Sequence, residues 1–315
     1  MHGGTILLTV IGLAVFETVS SIDNAIVNAQ VLATMGPQAR RWFLLWGLLI
    51  AVFAVRGLLP WAIVWMAMPQ LGPWGAMTAT FSSDPKIAAA VAQQAPRLLV
   101  GCGVFLIFLF LHWLFLEEKH YGLPVVERYF VEKGVWFYAC ASVLLTALIW
   151  LALHSHDPLM AFGAAVGASA FFITHGFRQT AEAKEREMSG ASHLSDMSKV
   201  MFLQVIDATF SIDGVLGAFA FTLSVPLILL GNGLGALVVR QLTVGNIDRI
   251  LRYPYLQNGA MYSILALGLI MVGESFGAHV PNWLSPLATL GIVGAFLLRS
   301  IAAIRPGPPA KRAAE

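Results

Sequence analysis

Nine stretches of about 20 residues in this chain are apolar enough to cross a bilayer, near residues 6–30, 42–66, 97–116, 135–153, 158–177, 199–222, 226–245, 257–273 and 284–304. A backbone in hydrocarbon must satisfy its own N–H and C=O groups, which for runs of this length means helices. The expected fold is an all-α polytopic membrane protein with about nine transmembrane helices. Composition agrees, because 58% hydrophobic against 11% charged residues leaves little for an extramembrane domain. A net charge of +2 is no footprint for nucleic acid, so none is expected as a partner. Cys102 and Cys140 fall in apolar runs, where a thiol behaves as a small hydrophobe, and no disulfide is expected. Residues Met1 to Thr5 lack a positive n-region and the run after them carries Glu17 and Asp23, which reads as a retained first helix rather than a cleaved leader.

Lys and Arg crowd every second loop: Arg40 and Arg41; Lys119, Arg128 and Lys133; Arg178, Lys184, Arg186 and Lys199; Arg249 and Arg252; and Arg305, Lys311 and Arg312 in the tail. Such an excess marks cytoplasmic loops, so the N-terminus is expected outside and the C-terminus in the cytoplasm. Residues 178–198 are rich in Glu, Lys, Ser and His without apolar periodicity, and are expected to form a flexible cytoplasmic loop. The chain then reads as a single transmembrane domain. Its parts are repeat one at about 5–116, connecting helices at about 135–177, that loop, repeat two at about 199–273 and a final helix at about 284–304.

The repeat rests on a polar pattern inside two of the spans. Residues 17–24 read Glu-Thr-Val-Ser-Ser-Ile-Asp-Asn, and residues 207–214 read Asp-Ala-Thr-Phe-Ser-Ile-Asp-Gly. Each is followed in the next span by an arginine among apolar residues, Arg56 and Arg240. The topology sends the two copies across the bilayer in opposite directions, and inverted repeats place binding sites near the midplane where they meet. A carboxylate at mid-helix costs about 2.5–3.5 kcal/mol, so Glu17, Asp23, Asp207 and Asp213 together would cost on the order of 10 kcal/mol if ionised and facing lipid. Two arginines cannot neutralise four acids, and a bound cation or proton would settle the rest.

Helix geometry adds that acids six positions apart lie about 120° apart on a straight helix. Asp23 and Asp213 therefore need another face, or a local break at the serines. The donors are carboxylates, the hydroxyls of Ser20, Ser21 and Ser211, and the Asn24 amide, with no thiolate or imidazole cluster. Such a set suits Mn or Ca better than Zn or Cu, while Mg prefers to keep its water shell. Arg56 and Arg240 are expected to pair with surplus acids or to stand in for the metal when the site is empty.

The acid, Ser-Ile-Asp and small-residue pattern, its second copy, the arginine after each, and His279-Val280-Pro281 after an apolar span resemble the TerC family of integral membrane proteins. That resemblance covers about Phe16 to Trp283 and implies the LysE-like transporter superfamily, a bacterial inner (plasma) membrane location and divalent metal export, chiefly of manganese, with an association with tellurium resistance. It also implies that Glu17, Asp23, Asn24, Asp207 and Asp213 line the metal pathway. The chain departs from strict symmetry where Gly214 stands in place of Asn24.

Other polar residues have blander readings. His154, His156 and Asp157 read as a solvated turn, and His112 and His175 as interfacial. Trp42, Trp46, Trp61, Trp65, Trp74, Trp113 and Trp136 read as membrane anchors. Asn246 and Asp248 read as a helix cap, and Gly231, Gly233 and Gly235 as close-packing positions. The function expected is therefore a non-enzymatic divalent cation transporter, working by alternating access with protons as counter-ions, in the bilayer and with room for a homo-oligomer. Its rivals are an intramembrane aspartyl hydrolase, which would use paired aspartates, and a membrane sensor or scaffold that binds metal without turnover.

Overall fold

The computed structural model describes residues 3–22, 25, 28, 32, 35–47, 50, 56–78, 85–155, 157–190, 196–245 and 252–304. Within them the helices are α1 (Gly3–Ser20), α2 (Pro37–Trp42), α3 (Arg56–Ala67), α4 (Gly72–Thr78), α5 (Pro85–Leu116), α6 (Pro124–Val131), α7 (Phe137–His154), α8 (Pro158–Gly190), α9 (Asp196–Ala218), α10 (Val225–Gly245), α11 (Leu256–Ser275) and α12 (Leu284–Ile304). The described residues contain no strand.

The centre is α5, whose residues Val100, Val104, Leu106 and Trp113 are fully buried. A helix apolar on all sides has no solvent face and is covered by neighbours. It packs on α8 and α11, while α1 packs on α10 and α12. Glycines set the spacing. A Cβ on Gly167 or Gly163 of α8 would collide with the carbonyl oxygens of Gly101 or Arg97 on α5, and a Cβ on Gly103 would lie 2.9 Å from the carbonyl of Gly268 on α11. Helices in a bilayer gain no hydrophobic drive from meeting each other, so close backbone approach at small residues supplies the packing energy.

Past α5 the chain is pinned twice. The Lys119 ammonium donates to the carbonyls of Trp113 and Leu114 and lies 4.2 Å above the Trp113 ring. Burial pulls its pKa down to about 8 against the opposing pull of Glu117 and Glu127. The fully buried Glu127 of α6 accepts the Leu123 N–H at 3.1 Å and the Asn258 amide of α11, also at 3.1 Å.

Among the described residues six helices are long and apolar enough to span a membrane: Gly3–Ser20, Gln93–Leu116, Gly134–His154, Pro158–Thr180, Leu256–Ser275 and Leu284–Ile304. The other three expected spans carry the second copy of the polar pattern or follow one of the two copies. Of the run at 42–66 the described parts are the end of α2, a π turn at Phe43–Gly47, residue 50 and the 12-residue α3 with Pro60 inside it. Gly47 of that turn is met closely by α9, since a Cβ there would stand 2.5 Å from Gln204 Nε2. Helix α9 is 23 residues long but holds Asp196, Lys199, Asp207 and Asp213. In α10 the apolar part is confined to Val225–Gln241.

Of the expected loop at 178–198, residues 178–190 and 196–198 are helical and residues 191–195 lie outside the described ones. Helix α8 continues to Gly190, because Ala, Glu, Lys, Arg and Met dominate residues 181–188 and all favour helix without needing an apolar face.

Candidate functional site: a buried carboxylate and arginine cluster

The polar pattern on α1 lands at a crossing with α9 and α10 that only glycine permits. A Cβ on Gly214 would lie 2.5 Å from Glu17 Oε2, and one on Gly235 would lie 2.6 Å from Glu17 Cβ and 2.8 Å from the Ala14 carbonyl oxygen. Glu17 is thereby 0% exposed. A buried carboxylate persists only with strong partners. Arg56, the first residue of α3, donates to Glu17 Oε1 from Nε at 2.8 Å and Nη2 at 2.5 Å, and the Ser21 hydroxyl adds a bond of 2.9 Å to the same oxygen.

All these bonds fall on one oxygen. Glu17 Oε2, facing Gly214, is buried without a hydrogen-bond partner. On the far side of the guanidinium, Asp207 Oδ2 stands 4.0 Å from Arg56 Nη1. Glu17 and Asp207 thus share one arginine. Arg56 and Asp207 line a cavity of about 50 Å³ together with Asn28, Arg240 and Thr243, closed by Phe43, Leu44, Gly47, Ala236 and Val239. Asn28 Oδ1 is a second buried oxygen with no partner.

Asp213 does not join this cluster. Helix α9 runs unbroken from Asp196 to Ala218, so of the two expected alternatives Asp213 takes another face rather than a break at the serine, as the 120° splay of a straight helix requires. There it accepts a 2.8 Å bond from Arg178 Nη2 of α8. Ser211 donates to the Asp207 carbonyl at 2.6 Å and does not line the cavity. In the first copy α1 closes at Ser20 and Ser21 is a turn, yet the Ser21 and Ala25 N–H groups still bond the carbonyls four residues back at 3.1 and 2.9 Å. Ser20 donates a long 3.4 Å bond to the Glu17 carbonyl. Asp23 and Asn24 lie outside the described residues, as do Asn246 and Asp248. Among the described residues no three His, Cys, Asp or Glu side chains come together as a metal cage.

Residues 22–306 match the model of DUF475, described as a protein of unknown function. The chain belongs to the DUF475 family. The match begins after Glu17 and takes in Arg56, Asp207, Asp213 and Arg240. YceF of Bacillus subtilis (strain 168), named an uncharacterized membrane protein, is 32% identical over 109 residues, which are 31% of this chain and 42% of that relative. The chain therefore matches less than half the length of YceF. No solved structure matches it. Six membrane-length helices and a relative named as a membrane protein agree: this DUF475 chain is a multi-pass membrane protein.

Two features of the DUF475 site were not visible beforehand. Arg178 counts as a loop cation by charge alternation, but sits in α8 against Asp213; its place beside an apolar span end was the only hint. Gly235, expected to serve helix packing, does so against the carboxylate-bearing residue itself.

Proposed function

We propose that this chain is a transporter for a divalent cation, in which Glu17 and Asp207 are the cation's carboxylates and Arg56 holds their place when the cation is absent. The observation that carries the reading is the unpartnered Glu17 Oε2, buried beside an arginine that Glu17 shares with Asp207 at the edge of a polar cavity. A guanidinium with one bond-rich and one distant carboxylate can swing toward either, and a cation entering past Asn28 and Asp207 would release it. Arg240, half-buried on the same wall, keeps the cavity from holding surplus cations once Arg56 is displaced.

An oxygen donor set of carboxylates, the Asn28 amide and the Thr243 hydroxyl suits Mn²⁺ or Ca²⁺. The resemblance to the TerC family favours manganese, outward movement, alternating access between inverted repeats and a bacterial plasma membrane with the N-terminus outside. The rival hydrolase would need adjacent carboxylates that share a proton; between Glu17 and Asp207 stands the Arg56 guanidinium, and Asp23 lies outside the described residues.

The test is Mn²⁺ movement in proteoliposomes containing the full chain, wild type against Glu17→Gln and Asp207→Asn, with Mn²⁺ binding measured in parallel. The reading requires wild-type flux that both variants reduce at least tenfold. Binding without flux in the wild type would favour a sensor, and wild-type flux from either variant would remove the carboxylates from the pathway.

A further inference from the structure

A second, partly buried polar cluster lies on another face of α9 from the Arg56 cavity. Asp213 and Arg178 share a wall with His175 and Thr174, around a void of about 10 Å³ completed by Phe105, Leu109 and Phe171. A space of that size holds about one water. The His175 ring lies 3.8 Å, centroid to centroid, from the ring of His112 on α5. His112 Nδ1 is 3.3 Å from Glu117 Oε1, and His175 Nε2 is 3.0 Å from the Gln179 amide. Phe137 meets His112 edge-on at 5.4 Å and Phe171 stacks on His175 at 5.6 Å, while His175 is half-buried and its Gln179 partner exposed. The Glu117 side chain keeps 34% of its surface open, while that of His112 keeps 10%. Burial raises the Glu117 carboxyl, but its bond to His112 and the charges of His112, Arg178 and His175 outweigh this and hold it below the ordinary carboxylate range.

We infer that His112 and His175 form a one-proton site, loaded from solvent past Glu117 and sensed by Asp213 on α9 through Arg178. Two imidazolium rings 3.8 Å apart, each packed on a phenylalanine, would repel one another, so the pair accepts a single proton. Glu117 attracts that proton toward His112. Arg178 repels it from His175, and Asp213 weakens the repulsion by holding the guanidinium. Besides His112, the charged groups acting on His175 are Arg178 and Glu117. Because Asp213 and Asp207 ride on one unbroken helix, a proton here and a cation at Asp207 act on the same rigid element. That last consequence rests on the transport reading; the one-proton site does not.

The first experiment follows both rings by nitrogen NMR in the ¹⁵N-histidine-labelled full chain in nanodiscs between pH 8 and 4.5. One proton is expected to be taken up by the two rings jointly. Glu117→Gln should move the joint midpoint down by about one unit, as loss of a close counter-charge does, and His175→Gln should change the midpoint of His112. Two independent midpoints with a full proton on each ring, or a His112 midpoint indifferent to both variants, would overturn the site. The second experiment measures proton movement with a trapped pH dye while Mn²⁺ runs down its gradient. His112→Gln with His175→Gln should lower the protons moved per Mn²⁺ at least fivefold; an unchanged ratio would overturn the coupling. Absence of wild-type Mn²⁺ flux would defeat the transport reading and leave the NMR result standing.

Discussion

The two copies of the polar pattern are alike as strings and unlike as sites. In the first, Glu17 is fully enclosed, binds Arg56 through one oxygen and is cradled by glycines of two other helices. In the second, Asp207 approaches the same arginine at 4.0 Å and opens onto the cavity, while Asp213 takes an arginine from α8 that belongs to neither copy. The serines diverge too: Ser21 bonds a carboxylate and Ser211 a backbone carbonyl. A repeat in residue types therefore gives one tight half and one open half. That asymmetry suits a site that must hold charge securely yet let something in.

The largest effect should come from breaking the tight half. Arg56→Met leaves Glu17 buried without its cation and should cost about 3–5 kcal/mol, read as loss of stability in denaturant titrations in mild detergent. Adding Glu17→Gln to it should recover at least half of that loss, since no uncompensated charge remains. A single variant as stable as wild type would mean that Glu17 is not held ionised by Arg56.

Next comes the outlying acid. Asp213→Asn weakens a charge-assisted bond between side chains 13% and 18% exposed, with an expected cost of about 1.5–3 kcal/mol. The pairing predicts that Arg178→Gln costs a similar amount and that the double variant costs much less than their sum. Additive costs would show that the two residues are not coupled.

The cradle should give a smaller change. Gly214→Ala gains up to about 1 kcal/mol of helix propensity but places a methyl 2.5 Å from Glu17 Oε2. Glu17 is tethered by three bonds to its other oxygen and cannot simply turn away. Overpacking costs of about 1–3 kcal/mol should win, giving a net loss of about 1–2 kcal/mol by the same titration. Stabilisation would mean that the carboxylate has room to move. The smallest effect belongs to Arg240→Gln, on the open cavity wall, which should shift stability by less than about 0.5 kcal/mol while changing Mn²⁺ affinity at least threefold. The opposite pattern would make Arg240 structural.

Much of the scaffold could be read from the chain. Helices α5, α7, α8, α11 and α12 coincide with long apolar runs, because a stretch that must satisfy its backbone in hydrocarbon has one regular conformation open to it. The reading failed where polar residues or local geometry break that logic. The run at 42–66 reads as one regular span, whereas its described part holds a π turn at Phe43–Gly47 where α9 comes close at Gly47. The stretch after Arg178 looks like a loop because it lacks an apolar face, while its residues have the highest helix propensities available.

By itself, the sequence determined that this is a helical membrane protein, which residues interrupt its apolar runs, and that acids six apart on one helix must point apart. All of these follow from hydropathy and from the fixed turn of a helix. It did not determine which arginine meets which acid. That choice depends on how α3, α8, α9 and α10 are rotated and seated against each other, and only the packing at Gly214 and Gly235 puts Glu17 and Asp207 on the two sides of Arg56 and leaves Asp213 to Arg178.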